Sequence, residues 1–228
     1  MKKFNRIAAL LLACMMLLCC FTACGKEEAA PAEEPAAAEA PAEAPAEAPA
    51  EAPAEAIVFK HGFDLDYPPY SYLNDDGSVG GFDVELCQAV CDYYGWTYEP
   101  HAFNWDAKDA ELQSGSCDCI WSGFTVEGRE NDYLWSKAYS KHTPAILVAE
   151  NSGLKTLADL AGKTVGVQTA TSAYDMLQDG QADLCATFAD LLVFDTYTVA
   201  FNDLQAGAID AIAIDMTAGS FLIANENK

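Results

Sequence analysis

Asp64-Leu-Asp-Tyr-Pro-Pro-Tyr70, then the turn Asn74-Asp-Asp-Gly77, then Gly81-Phe-Asp-Val-Glu-Leu86, is the stretch from which the architecture can be read. Ile57 to Phe63, just upstream, read as a short β-strand. Pro68-Pro69 denies the backbone both a helix and a sheet ladder, which predicts an extended loop at the strand's C-terminal end. In open α/β sheets, ligands gather at that end. Gly80-Gly81 permits a sharp entry into a helix over Phe82 to Tyr94. Its first turn carries Asp83 and Glu85, where acids complement the helix dipole. Val84, Leu86, Val90 and Tyr94 supply an apolar stripe at helical spacing. On these residues alone the unit reads either as an ordinary strand-turn-helix corner or as one wall of a small-molecule site.

The N-terminus is not fold material. Lys2, Lys3 and Arg6 precede an apolar run from Ile7 to Leu18, and Phe21-Thr-Ala-Cys-Gly25 follows. This is the pattern of a secretory signal, and its apolar core is short for an uncleaved transmembrane helix. It resembles bacterial lipoprotein signals, which implies cleavage after residue 23, acylation of Cys24 (palmitate included) and anchorage on the extracytoplasmic face of the cell membrane. One acyl chain would hold the protein marginally, several stably. From Gly25 to Ala56 the chain repeats Ala, Pro and Glu. Such a segment cannot bury apolar area and repels itself, so residues 24–56 read as a lipidated Cys with an extended, disordered spacer. At polyproline dimensions its reach is on the order of 100 Å.

The remainder, Ile57 to Lys228, is long enough to bury a sizeable core. It carries 26 acidic and 8 basic side chains, a net 18 negative charges, with no Lys/Arg cluster. That balance argues against nucleic acid or an anionic membrane surface as partner. Five cysteines lie there: Cys87 and Cys91 one helical turn apart, Cys117 and Cys119 alternating along a predicted strand, and Cys185. A zinc site is conceivable. The spacing lacks Cys-x-x-Cys and a nearby His, which favours small buried hydrophobes and no metal.

Strands are expected at Thr97 to Ala102, Asp118 to Ser122, Pro144 to Val148, Lys163 to Val167 and Ala208 to Ile214. Helices are expected at Asp106 to Gln113, from Thr171, and near Val199 to Gln205. This is a βα series in two blocks, the pattern of α/β layers. Tyr67-Pro-Pro-Tyr70, Gly81 to Leu86, Gly123-Phe-Thr125 with Arg129, Leu157-Ala-Asp-Leu-Ala-Gly-Lys163 running on to Gln168, and Gly207-Ala-Ile-Asp-Ala211 occur in that order. Together they resemble the polar amino-acid-binding proteins of ABC importers, the bacterial extracellular solute-binding protein family 3. The resemblance implies an α/β, two-lobed, Venus-flytrap (type II periplasmic-binding-protein-like) fold with a mixed sheet in each lobe, lobe 1 over residues 57–142 and lobe 2 over 143–228. It further implies a monomer that binds a free amino acid, contacts ABC permease subunits and needs no cofactor. The family's chain runs on beyond the point matching Lys228. On the order of fifty residues are therefore expected to be missing, which would leave lobe 1 unfinished.

An amino acid presents a carboxylate and an ammonium, so its site must offer a fixed cation, donors and a carboxylate. Arg129 is the candidate cation, with the rival reading of a surface pair to Glu127 or Glu130. By resemblance it clamps the α-carboxylate with Thr125, although the loop is one residue shorter than the commoner form. Thr171 and Ser172 open a helix and could cap it or help bind an anion, with Ala170 standing where the family has Gly. Asp215 ends a strand, where the family's carboxylate grips the α-ammonium and a helix N-cap is the compatible alternative. Asp64, Tyr67, Trp105, Ser122 and Gly123 complete the expected ligand-binding set, Tyr67 and Trp105 sandwiching the ligand's stem. Asp66 reads as a solvated acid, Trp121 and Tyr139 as core. His61, His101 and His142 stand at no catalytic spacing. The sequence thus points to a non-enzymatic binder. The alternatives are a sensory module for a membrane partner and a dehydratase-like enzyme on the same scaffold.

Overall fold

The structure, a computed structural model, describes residues 56–225 apart from position 75. The signal, Cys24 and the spacer up to residue 55 lie outside the described residues. Among the described residues, no helix is long and apolar enough to cross a membrane.

The chain opens with strand β1 (Val58–Asp64), then β2 (Asp66–Tyr67), β3 (Ser71–Leu73) and β4 (Val79–Gly80), and enters helix α1 (Phe82–Tyr94). It continues through β5 (Thr97–Phe103), a 3-10 turn (Trp105–Ala107), α2 (Lys108–Ser114) and β6 (Cys119–Ile120). β1 lies between β5 and β6 and is parallel to both. A second set of elements begins at β7 (Pro144–Val148), turns at Leu157–Leu160 and runs through β8 (Thr164–Gln168), α3 (Ser172–Gln178), α4 (Ala182–Cys185) and β9 (Asp190–Phe194). It ends with α5 (Tyr197–Ala206), β10 (Ala211–Asp215) and α6 (Met216–Asn225). Its sheet has the order β7-β10-β8-β9, with β7 antiparallel to β10 and the rest parallel. The second sheet is mixed as expected, whereas the described strands of the first are all parallel.

Apolar burial explains which strands are central. Every residue of β10, Ala211-Ile-Ala-Ile-Asp215, is buried. One apolar cluster joins Ile212 and Ile214 to Tyr197, Phe201 and Leu204 of α5, and another joins Ala211 and Ala213 to Val165, Val167, Ala173 and Leu177. Helices on both sides of a parallel stretch demand such near-continuous hydrophobic runs.

Several readings from sequence are corrected. Leu65 to Tyr70 is not an extended loop. β2 pairs antiparallel with β3 (Asp66 opposite Tyr72, Tyr67 opposite Ser71), so the two prolines make the bend of a hairpin, where no ladder N–H is needed. α1 buries Asp83, Val84, Cys87 and Cys91, while Tyr94 is exposed. The true face follows Val84, Cys87 and Cys91 at the 3.6-residue period, and it includes an acid. Cys117 precedes β6 and packs with Phe103 and Trp105, and all five described cysteines are free thiols. β9 and α4 had gone unread, because Asp190 to Phe194 lacks clear alternation and α4 has only four residues.

The hairpin and α1 are joined by backbone. The carbonyls of Pro69 and Tyr70 accept the N–H groups of Phe82 and Asp83, each at 2.8 Å. Gly81 makes this approach possible. Its φ of 118° is a glycine conformation, and a Cβ there would lie 2.3 Å from the Tyr70 carbonyl oxygen. Replacing Gly81 by Ala should destabilise the protein by about 3 kcal/mol or more through strain and displaced backbone. Urea denaturation would register this, and an unchanged midpoint would refute the account.

Candidate functional site

At the C-terminal ends of β1 and β8, a small cavity is lined by Asp64, Tyr67, Trp105, Ser122, Gly123, Thr125, Arg129, Gln168, Thr171 and Ser172. Most of these residues arrive from a strand end or the loop after one, while Trp105 opens the 3-10 turn and Ser172 opens α3. The space left is only about 20 Å³, little more than one water needs. A larger apolar groove of about 680 Å³ runs along β7 and α3, but its single charged lining residue is Lys155. It offers no carboxylate and cannot pair both poles of a zwitterion.

Asp64 is almost fully buried at the end of β1. Its carboxylate accepts Gln168 Nε2 at 2.8 Å and the Asp66 N–H at 3.0 Å. Burial pushes its pKa up to about 6, against the lowering effect of those bonds. Ser122 Oγ receives the Asp64 N–H at 3.1 Å and lies 2.7 Å from Ser71 Oγ, whose proton goes to the Asp64 carbonyl. Behind this network His61 is fully buried, its Nε2 donating to the Trp121 carbonyl at 2.6 Å and its Nδ1 3.0 Å from Tyr98 Oη. Burial lowers its pKa to about 4, so it is a neutral strut of the loop.

Arg129, 8% exposed, donates from Nη2 to the Ala170 carbonyl at 3.0 Å and to Asp175 at 2.5 Å, and lies over the Phe124 ring. Neither Glu127 nor Glu130 is its partner. Ala170 has a positive φ of 56°, which turns its carbonyl toward both Arg129 and Trp105, whose Nε1 also donates to it at 3.0 Å. Thr171 caps α3, accepting the Tyr174 N–H and donating to the Gln168 carbonyl. Ser172 Oγ stands 3.3 Å from Thr125 Oγ1. Tyr67 stacks on Tyr70 and leans on Tyr197.

Nine of the ten residues expected to bind ligand line this cavity, and Asp215 does not. Its oxygens receive Thr143 N–H at 3.1 Å, His142 Nδ1 at 3.1 Å and Thr217 N–H at 2.8 Å. Burial would raise its pKa, and these bonds together outweigh that and lower it. Asp66 is not a solvated acid, since it is half-buried and accepts Thr198 Oγ1 at 2.8 Å. Tyr139 is not core: it is 42% exposed and donates to Asp83. Gln168 was missed as a site residue, although its place at the end of a central strand was the available signal.

The family model for bacterial extracellular solute-binding proteins, family 3, matches residues 59–193. The chain belongs to that family. Solute-binding proteins of this family supply its near relatives. One is the L-cystine-binding protein TcyJ of Escherichia coli, 31% identical over 73% of this chain and 62% of the relative. Another is ABC transporter arginine-binding protein 1 of Escherichia coli, 29% identical over 69% of this chain and 63% of the relative. The chain thus spans less than two thirds of the length of these curated relatives. Among solved structures, an ABC uptake transporter substrate-binding protein from Streptococcus pneumoniae with bound histidine superposes with a TM-score of 0.71, at 31% identity over 74% of this chain and 70% of that one. An ancestral arginine-binding protein bound to arginine gives 0.67 at 29% identity over 75% of each chain. The two-lobed type II periplasmic-binding-protein fold is thereby established.

In this family member the Gly-Phe-Asp motif has a direct role beside the site. Asp83 is fully buried, and its Oδ2 accepts the Gly123 N–H at 2.5 Å and Tyr139 Oη at 2.9 Å, which holds the Gly123-to-Thr125 loop against α1. Burial raises its pKa from 3.8 to about 6. A raised folded-state pKa favours the protonated form, so its stabilising effect is full below about pH 4 and is lost as pH rises through about 6. Asp83→Asn should therefore match wild type at pH 4 and be more stable by roughly 2 kcal/mol at pH 7. Guanidinium unfolding at both pH values tests this, and a pH-independent difference would contradict it.

Proposed function

We propose that this chain is an extracytoplasmic solute-binding lipoprotein that captures a polar amino acid and delivers it to an ABC importer. The observation that carries this reading is the presence of two buried groups of opposite charge, Arg129 and Asp64, in the lining of one cavity flanked by Tyr67 and Trp105. A zwitterion brings two charges that are costly to desolvate, and a fixed cation with donors is what its carboxylate requires. Arg129 with Thr125 and Ser172 would receive the α-carboxylate. Asp64 would receive a cationic or amide group, taking the place that the Gln168 amide now fills. Tyr67 and Trp105 would cover the aliphatic stem, and Asp215, which does not line the cavity, would act on the α-ammonium only after exchanging a present partner. Proteins similar to this chain bind cystine, arginine and histidine, which supports an amino acid as cargo.

The cavity is too small for an amino acid, so entry would require the two lobes to part and the contacts between Asp64 and Gln168 and between Ser172 and Thr125 to be exchanged for ligand. The process involves no covalent step. The Lys2-to-Cys24 signal supports export and lipid anchoring at Cys24, with permease subunits as the receiving partner. Lobe 1 would comprise residues 57–142 and lobe 2 residues 143–228. Sensing for a membrane signalling partner is a weaker reading, with no residue of its own in favour.

Calorimetric screening of the twenty amino acids should find one that binds. Arg129→Ala should weaken its binding by about 2–5 kcal/mol, more than tenfold, because a carboxylate would be left without its buried cation. Unchanged affinity in that variant, or no binding by wild type, would reject the reading.

A further inference from the structure

We infer that Asp175 is a positioning residue and a latch: it holds the Arg129 guanidinium from lobe 2 and thereby ties closure of the cleft to capture of a ligand carboxylate. The inference rests on the proposed amino-acid-binding role of Arg129. Arg129 lies in the segment between β6 and β7, while Asp175 belongs to α3, which packs on the second sheet through Ala173 and Leu177. Their 2.5 Å contact therefore spans the two lobes.

Three observations define what the contact does. First, both bonds that Arg129 makes from its guanidinium to described residues leave Nη2, to Ala170 and to Asp175. A guanidinium has five N–H donors, so those on Nε and Nη1 have no acceptor among the described residues. Second, Arg129 lines the cavity and Asp175 does not. Asp175 approaches from outside the ligand space, so it is placed to orient the cation without occupying the carboxylate's position. Third, the two side chains differ in exposure, 10% for Arg129 and 52% for Asp175. The cation stays in the cleft, and the half-exposed acid can leave it for water when the lobes part.

A carboxylate bound at the free Nη1 N–H groups would share the cation with Asp175 from a different side, while the Asp175 carboxylate and the Ala170 carbonyl hold Nη2. Parting the lobes removes Asp175 and Ala170 together. Ligand release and loss of the latch then become one event, and its rate should depend on Asp175. Pairing across such a contact acts on the dissociation rate more than on association.

The test compares wild type, Asp175→Asn and Asp175→Glu as full-length chains. L-Arginine, L-histidine and L-cystine serve as probes in stopped-flow release measurements, with amide hydrogen exchange of the ligand-free proteins read over residues 123–130 and 168–178. The latch predicts release about tenfold faster in Asp175→Asn with association within about twofold, substantial recovery in Asp175→Glu, and faster exchange of both segments in ligand-free Asp175→Asn at an unchanged denaturation midpoint. Equal or tighter binding in Asp175→Asn with unaltered exchange would overturn it, as would a lowered midpoint that accounts for the whole effect. If wild type binds none of the three probes or any other amino acid, the proposed function falls. The exchange comparison then decides the latch alone, since it needs no ligand.

Discussion

The close backbone approach at Gly81 is the constraint on which the packing of the hairpin, α1 and the Gly123 loop depends. The hairpin carbonyls of Pro69 and Tyr70 can reach the first N–H groups of α1 only because residue 81 has no Cβ. These bonds use donors that every helix start leaves free. They also fix the direction of α1, so that Asp83 points inward instead of out to solvent. Asp83 in turn holds Gly123, and the loop that follows carries Thr125 and Arg129. A local steric permission at one glycine is thus transmitted, through one buried carboxylate, to the cation of the proposed site.

The cavity is built from charges held in check. Asp64 and Arg129 are both nearly buried, and each is met by residues distant in sequence, Asp64 by the Gln168 amide and Arg129 by Asp175 and the Ala170 carbonyl. Buried charges without partners are costly, and these partners offset that cost. Trp105 reinforces the arrangement by donating to the same Ala170 carbonyl. The left-handed backbone at Ala170 is the means by which one carbonyl serves two donors. Such strain persists where the surroundings over-determine it, and binding sites are common places for it.

Much of the architecture was legible because hydrophobic period and turn chemistry are local. Phe82 to Tyr94 and Pro144 to Val148 were read at their observed bounds, since Gly81, Gly95 and Thr143-Pro144 mark the ends in the sequence itself. The prolines at 68 and 69 misled in one respect. They do forbid a ladder N–H at their own positions, yet a hairpin bend needs none there, and the residues on either side pair. Tyr94 was assigned to the buried face by its spacing from Leu86 and Val90, whereas the face through Val84, Cys87 and Cys91 is the one that packs inward.

By itself the sequence determined the α/β class and the acidic balance, which follow from periodicity and composition, properties of neighbouring residues. Nine of the ten residues that line the cavity were reached through the resemblance that the ordered motifs carry. Only the tertiary structure decided which charge meets which. Arg129 and Asp175 are 46 positions apart and Asp64 and Gln168 are 104 apart. Separations of that size leave no periodic trace, because the contact is set by how two sheets and their helices stack. The same holds for the His142 and Thr143 contacts to Asp215, whereas its bonds to the Thr217 and Ala218 N–H groups are local and match the helix N-cap that the sequence offered.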